Sequence, residues 1–477
     1  MTQYEAIIGL EVHAQLKTQS KMFCACSTTF GDRPNTNICP VCTGYPGTLP
    51  VVNQRAVEMA IKTGLALGCD IQRKSIFARK NYFYPDLPKG YQISQYEYPL
   101  CLGGHLDIRT PEGVKRISLI RIHLEEDAGK LLHDYGHAEQ SHVDFNRCGV
   151  PLIEIVSGPD MRYPKEARSY LRTLRNALVY LDVCEGNLQE GNFRCDVNIS
   201  IRPPGQKKFG TRTEMKNLNS FKAVEQALAY EIDRQQKLLE QGKEGIQETR
   251  LWNDVAGRTE SMRVKEEAHD YRYFPDPDLL PLVVDEKWTE EISGDLPELA
   301  GARSERFVTQ YGIPQADAEV LTDDRRIADY FEETVKCGAP PKKAANWILA
   351  EILREIKEDE RGIAACPITP ANLALLIDLI EKGTISGKMA KEVFADMYSS
   401  GGDPEAIVKK KGLVQLSDTG ELEKIVDEII AGHPKQVEQY RKGKTAVATF
   451  FVGQAMKATR GQANPKLVNE ILKKKLG

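Results

Sequence analysis

The chain has 477 residues, 41% of them apolar and 28% charged; this is an ordinary globular composition but too long for one core, so about two to four domains are expected. No run of 18 apolar residues occurs, which excludes a helix crossing a membrane. A net charge of −4 excludes a uniformly basic nucleic-acid binder, yet Lys435–Gly477 holds ten Lys/Arg against two Asp/Glu, or +8, leaving −12 for the rest. A basic end on an acidic body suits contact with a polyanion, and equally a solvated helical tail.

In chain order, the first segment lacks the basic flank of an export signal, and Glu11 and His13 interrupt its apolar residues. A cytoplasmic protein is therefore expected. Ile8, Leu10, Val12, Ala14 and Leu16 alternate with Gly9, Glu11, His13 and Gln15, which predicts a strand with one apolar face. Glu11 and His13 then leave its polar face together, roughly 7 Å apart. Of the 11 cysteines, an odd number in a chain without an export signal, free thiols or metal ligands are favoured over disulfides. Four are clustered: Cys24-x-Cys26, twelve residues, then Cys39-x-x-Cys42. That spacing suits a closed tetrahedral zinc site with a structural role; four unconnected buried thiols are the alternative.

Arg79–Tyr91 is cationic and aromatic, and two prolines and a glycine predict a loop in which Lys80 and Lys89 could hold a phosphate or a carboxylate. Arg121–Asp127 brings His123, Glu125, Glu126 and Asp127 into what reads as a turn. Glu154 stands inside the apolar run Val150–Val156, where a charge is costly unless paired or metal-bound. Ala167, Tyr170, Leu171, Leu174, Ala177, Leu178 and Leu181, opened by Pro164, predict an amphipathic helix. Cys195–Ile201 alternates as a second strand, with Asp196 and Asn198 on its polar face, and Glu214 and Lys216 share a face further on. A helix is predicted over about Phe221–Gln241, stopping at Gly242, and a second aromatic loop over His269–Asp278. Several carboxylates converging with a histidine suggest a Mg²⁺ site, since Mg²⁺ takes oxygen ligands and works with phosphates. Taken singly, each of these residues also fits a surface ion pair. No GxxxxGK[ST], GxSxG or familiar Cys–His context occurs, so nucleotide binding through a P-loop is not expected and no ammonia-producing motif is visible.

Beyond about Asp295 strand signals fade. Helical stretches are predicted near 316–335 and 341–357, and from Thr369-Pro370 to Gly383. Ser399–Pro404 reads as a linker, and the tail as three short helices: one through Leu422–Ile430, one over Ala446 to about Thr459, and one capped by Asn464 with Pro465 in its first turn. The fold class expected is α+β: a mostly antiparallel sheet over 1–294, an all-α domain over 295–405, and a small all-α tail over 406–477.

The segments IGLEVHAQL (8–16), CPVCTGYPGTLPVVN (39–53), RKNYFYPDLPKGYQISQ (79–95), HLEEDAGK (123–130), DFNRCGVPLIEIVS (144–157), RCDVNISIR (194–202), GTRTEMKNLNSF (210–221) and DYRYFPDPDL (270–279) resemble the GatB family of the tRNA-dependent amidotransferases. Val452–Lys457 and Gly461–Pro465 resemble the family's helical tail, so the likeness spans nearly the whole chain. The resemblance implies ATP-dependent conversion of glutamyl-tRNA(Gln), aspartyl-tRNA(Asn) or both to the amide. It also implies a heterotrimer with an ammonia-releasing amidase (A) subunit and a small C subunit, a cradle-like first domain, and helical and tail domains that grip tRNA. On it, Glu11, His13, Glu126, Glu154 and Glu214 are expected to hold Mg²⁺ directly or through water, and Glu11, His13 and Lys216 to meet ATP. Glu125 and Asp196 would stand nearby as catalytic groups beside Glu126. Lys80 and Lys89 would contact the acyl phosphate or line the ammonia path, and Cys24, Cys26, Cys39 and Cys42 would hold structural Zn²⁺. A non-catalytic tRNA-binding scaffold would need no polar cluster, and an unrelated Mg²⁺-dependent phosphotransferase would need no basic tail.

Overall fold

The structure, a computed structural model, describes residues 4–132, 141–264, 271–357, 361–413, 419–441, 447–459, 463 and 465–477. It divides into two compact units, Met1–Leu299 and Ala300–Gly477.

The first unit is built on a ten-stranded sheet. Its centre is the strand Glu5–Gln15, flanked antiparallel by Pro151–Ser157 on one side and Phe193–Arg202 on the other. Gly113–Glu126 pairs beyond Pro151–Ser157, and Thr213–Lys216 beyond Phe193–Arg202. Among the pairs in this sheet one is parallel, Thr213–Lys216 with Glu248–Asn253. The helix Phe221–Glu240 lies between those two strands in sequence, as a parallel crossover requires. The mostly antiparallel α+β class is therefore observed.

Alternation along the central strand is complete: Ile8, Leu10, Val12 and Ala14 are buried while Gly9, Glu11, His13 and Gln15 are half-buried. Their apolar partners Ile153, Ile155, Val197 and Ile199 join one core with Tyr170, Leu171 and Leu174 of the helix Pro164–Tyr180 and Val224 and Leu228 of Phe221–Glu240. Helices thus cover one face of the sheet, and the other is left for polar residues. Both helices end where the sequence predicts. Ser220 caps the second through Ala223 N–H at 3.0 Å, and Gly242 at φ +67° follows its last turn, a left-handed position that favours glycine.

Two predicted loops are partly strands. Ala78–Asn81 and Tyr91–Ser94 form an antiparallel pair, with Phe274–Pro275 added to it. Lys80 therefore projects from a strand, because the prolines and glycine sit in the turn between the two. Arg121–Asp127 is not a turn: it ends the 14-residue strand Gly113–Glu126. His269 and Asp270 lie outside the described residues.

The second unit is helical among its described residues. The stretch predicted near 316–335 is two helices, Gln315–Thr322 and Arg325–Lys336, because Asp324 caps the second through Arg326 N–H. Pro341–Trp347 continues through a π-turn, Ile348–Ile352. Pro370–Glu381 is capped by Thr369 as predicted. One core runs from Phe307 to Val408 and a second from Leu422 to Leu476. Val408 belongs to the helix Pro404–Lys411, so the first of these cores extends past the Ser399–Pro404 stretch. The tail carries one more helix than its sequence suggests, Pro434–Arg441, between Thr419–Gly432 and Ala448–Ala458. Asn464, the expected cap of Pro465–Leu476, lies outside the described residues, as do Gly461 and Gln462.

Candidate functional site

The register of the sheet lines up its polar residues. His13 lies opposite Glu154 on one neighbour and Arg194 on the other, and Glu154 lies opposite His123 in turn. Side chains directly opposite in an antiparallel pair share a face, so Arg194, His13, Glu154 and His123 form a row across four strands. Glu125, two residues beyond His123, points the same way. His13 Nε2 stands 3.2 Å from Glu154 Oε2, and His123 Nε2 lies 3.1 Å from Glu125 Oε1 and 3.8 Å from Glu154 Oε2. One donor atom each from His13, Glu125 and Glu154 falls within 4.8 Å of the other two.

Glu125 and Glu154 are buried at 3% and 9% exposure. Burial alone would raise the pKa of both. For Glu154, the imidazoles of His123 and His13 and the Lys80 ammonium outweigh burial and hold the carboxyl well below its ordinary range. For Glu125, burial and the neighbouring Glu154 both oppose ionisation, but His123 and Lys80 prevail and the pKa is lowered. Ser94 Oγ donates to Glu125 Oε1 at 2.6 Å and Gln92 Nε2 to Oε2 at 3.2 Å. Burial disfavours the charged form of His13, yet Glu154, Glu125 and Asp196 raise its pKa. Burial likewise works against the Lys80 ammonium, but Glu125, the Tyr273 and Tyr82 hydroxyls and Glu154 raise its pKa above that of an ordinary lysine. The ammonium also sits 4.9 Å from the ring centre of Tyr271 and 5.8 Å from that of Tyr82.

A second polar group occupies the same face one pleat along. Glu11 lies opposite Asp196, and Asn198 opposite Glu214. Lys216 Nζ approaches Asp196 Oδ2 at 2.5 Å and Glu214 Oε1 at 3.6 Å, while Thr249 Oγ1 donates to Glu214 Oε2 at 2.8 Å. Asn198 Nδ2 donates to Glu11 Oε1 at 2.8 Å, and Asn198 Oδ1 is buried without a hydrogen-bond partner. An amide oxygen left bare among carboxylates is the environment a cation would satisfy. The two carboxylates and imidazole of the first group lie close enough together to hold one divalent ion, whereas in the second group the Lys216 ammonium already meets Asp196 and Glu214.

Glu126 is not brought to either group. Neighbours in a strand alternate faces, so Glu126 continues the buried row of Ile122 and Leu124 while Glu125 faces the cluster. It accepts from Ile93 N–H at 3.0 Å and forms an ion pair with Lys89. Burial opposes the Lys89 charge, but Glu126 raises its pKa. Lys89 and Glu126 line a cavity of about 220 Å³ together with Lys21, Cys24, Cys42 and Gly149. The sequence expectation set Glu126 beside Glu11, His13, Glu154 and Glu214. The structure places it on the opposite side of its strand, with Lys89 and the cysteine loop.

The four cysteines do converge: the sulfurs of Cys24, Cys26, Cys39 and Cys42 all lie within 4.8 Å of one another. A hydrogen bond from the Cys24 thiol, opposed by burial, and then the Cys39 N–H and Lys21 pull the Cys42 thiol down to about 4. Burial pushes Cys26 up to about 11. Four thiol sulfurs with no other ligand type among them suit tetrahedral Zn²⁺.

Three residues at these sites escape a reading of motifs alone. Gln92 and Ser94 orient Glu125 from the strand Tyr91–Ser94, and Arg194 holds Asp127 at 3.0 Å. The signal for separating Glu125 from Glu126 was present: counting alternate positions from the apolar Ile122 and Leu124 assigns the faces.

The GatB/GatE catalytic domain profile matches residues 6–290, and the GatB domain profile matches residues 329–476. The chain is similar to the GatB-type subunit of the aspartyl/glutamyl-tRNA(Asn/Gln) amidotransferase of Geobacter sulfurreducens, at 58% identity over 99% of each chain. It is 57% identical to the corresponding protein of Thermodesulfovibrio yellowstonii over 98% of each, and 57% identical to that of Solidesulfovibrio magneticus over the full length of both. On these matches the chain belongs to the GatB family of tRNA-dependent amidotransferase subunits.

Proposed function

We propose that this subunit activates the side-chain carboxylate of glutamyl-tRNA(Gln), aspartyl-tRNA(Asn) or both with ATP, then delivers ammonia to it. A free carboxylate resists amidation because its leaving group would be oxide. Transfer of the γ-phosphoryl group of ATP to a carboxylate oxygen gives an acyl phosphate and ADP. Ammonia then attacks the acyl carbon, the bond to phosphate breaks, and the nitrogen loses a proton to leave the amide. The observation that carries this reading is the placement of His13, Glu125 and Glu154 within 4.8 Å of one another, with the Lys80 ammonium acting electrostatically on both carboxylates.

The chemistry supplied by Mg²⁺ bound to these residues is to offset the charge of a carboxylate and a triphosphate brought together. The chain's own groups do the positioning. Ser94 and Gln92 fix the Glu125 carboxylate, and His123 bridges it to Glu154. Lys80 offers a cation to the acyl phosphate as it forms. Glu11, Asp196, Asn198 and Glu214 form the second oxygen-rich group, and Lys216 places a positive charge there for the nucleotide. Lys89 and Glu126, in their separate cavity, line the ammonia path. Ammonia comes from an amidase (A) partner subunit, with a small C subunit completing a heterotrimer in the cytoplasm. The helical and tail regions hold the tRNA, and the four cysteines hold structural Zn²⁺.

The test is an amidation assay with misacylated tRNA, ATP and Mg²⁺, with and without the partner subunits, using ammonium or glutamine as donor. Amide formed from ammonium by the complex, with phosphate and ADP released in step, is expected. Firm tRNA binding with no amide from either donor would leave a scaffold role only.

A further inference from the structure

Lys21 is 1% exposed and among the largest fully buried side chains of the protein. A buried ammonium needs an anion or several acceptors to offset its lost hydration. Two atoms accept from it: Phe145 O at 3.2 Å and Cys42 Sγ at 3.6 Å. Among the described residues no carboxylate lies within ion-pair distance of it. One neutral carbonyl does not compensate a buried charge, so the sulfur is its counter-ion. Cys42 is also the most enclosed of the four clustered cysteines, buried where the other three are half-buried. A second N–H, from the backbone of Cys39, reaches the same sulfur at 3.2 Å.

We propose that Lys21 is the outer-sphere cation of the four-cysteine metal centre; this rests on the zinc reading given above. Four thiolates around a divalent ion carry a net charge of −2. In a buried loop that charge is costly unless donors outside the ligand shell share it. The Lys21 ammonium and the Cys39 N–H both act on Cys42, the sulfur with least access to water. Lys21 also ties the centre to the sheet. Its carbonyl partner Phe145 leads into Cys148 and Gly149, where Cys148 Sγ donates to Cys42 O at 3.3 Å and Met22 N–H to Gly149 O at 2.7 Å. Lys21 also lines the cavity that holds Lys89 and Glu126.

The roles of counter-ion and packing residue predict different outcomes. With the metal gone, Lys21 faces the Cys42 sulfur alone instead of a four-thiolate centre, so Lys21→Met should cost the metal-free full chain less stability than it costs the zinc-loaded chain. With the metal present, the same change removes the compensating charge. The experiment measures zinc affinity of the full chain against a chromophoric chelator, together with the melting temperatures of the metal-free and zinc-loaded forms and the sulfur-to-cobalt charge-transfer band after Co²⁺ loading. Lys21→Met is expected to weaken zinc binding ten- to a hundredfold and to shift that band. Lys21→Gln, which keeps a donor and drops the charge, should fall between, and it serves if the methionine variant does not fold. Zinc affinity within threefold of the parent in both variants overturns the proposal while leaving the metal centre intact. So does an equal loss of stability in the metal-free form, which marks a packing role. If the parent takes up no zinc, the metal centre itself falls, and the role of Lys21 with it.

Discussion

Both units pair buried charges, as Lys89 with Glu126 and Arg194 with Asp127 in the sheet unit, but they differ in where carboxylates gather. In the helical unit, buried charges meet opposite charges: Arg303 lies 2.7 Å from Asp329 and 2.5 Å from Glu332, and Glu351 lies 2.8 Å from Lys391 and 3.0 Å from Arg354. In the sheet unit, Glu125 and Glu154 are gathered against one another, with Glu11, Asp196 and Glu214 one pleat along. Pairing opposite charges serves stability, at best modestly. Gathering like charges opposes it, and is retained where chemistry needs the field. The difference supports placing the proposed reaction on the sheet face.

The largest expected effect comes from breaking the gathered set. Glu154→Gln should cut amide formation at least about a hundredfold and raise the Mg²⁺ concentration needed for half-maximal rate, with tRNA affinity held within threefold. Unchanged turnover across a Mg²⁺ titration would remove Glu154 from the site. Glu126→Gln sharpens the contrast within one strand. It should abolish amide formation while leaving tRNA binding and the Mg²⁺ requirement of ATP cleavage as they were, because Glu126 faces Lys89 and not the cluster. A matched rise in Mg²⁺ requirement would show that the two faces act as one site.

Smaller effects belong to the helical unit. Replacing Lys473, Lys474 and Lys475 at the end of the last helix with alanine should weaken tRNA binding about tenfold at low salt. The slope of log affinity against log salt should fall by about two to three, the lower figure if the pairing of Lys475 with Asp427 at 2.5 Å persists on binding. An unchanged slope would make the tail a solvated surface. The smallest effect concerns Glu332. Burial opposes its ionisation, but hydrogen bonds from Arg306 and Arg303 outweigh burial and hold its carboxyl at about 2, against an ordinary 4.5. A carboxyl lowered by folding adds stability above its unfolded value and loses it as pH falls from about 4.5 towards 2. After allowance for its partial exposure this is worth about 1 kcal/mol. Glu332→Gln should therefore lower the melting temperature by a few degrees at pH 7, with the gap closing in acid. A gap that stays constant down to pH 2 would assign the effect to packing.

Much of this architecture follows from local pattern. Alternation over Ile8–Leu16 and Cys195–Ile201 determined two strands and the face each polar residue takes, because the side-chain period of a strand is two. Periodicity with Pro164 and Gly242 determined two helices to within a residue or so. The spacing of Cys24, Cys26, Cys39 and Cys42 determined a cluster that the fold then brings together. Tertiary structure decided the rest. Which strands adjoin is a matter of long-range register, and it is register that sets His13 against Glu154 and Glu154 against His123. Alternation from Ile122 and Leu124 separates Glu125 from Glu126 once Arg121–Glu126 is strand and not turn, and that was decided by the pairing of Gly113–Glu126 with Pro151–Ser157. The partner of Lys21 is 21 residues away on the cysteine loop, and no local pattern specifies a counter-ion reached by folding.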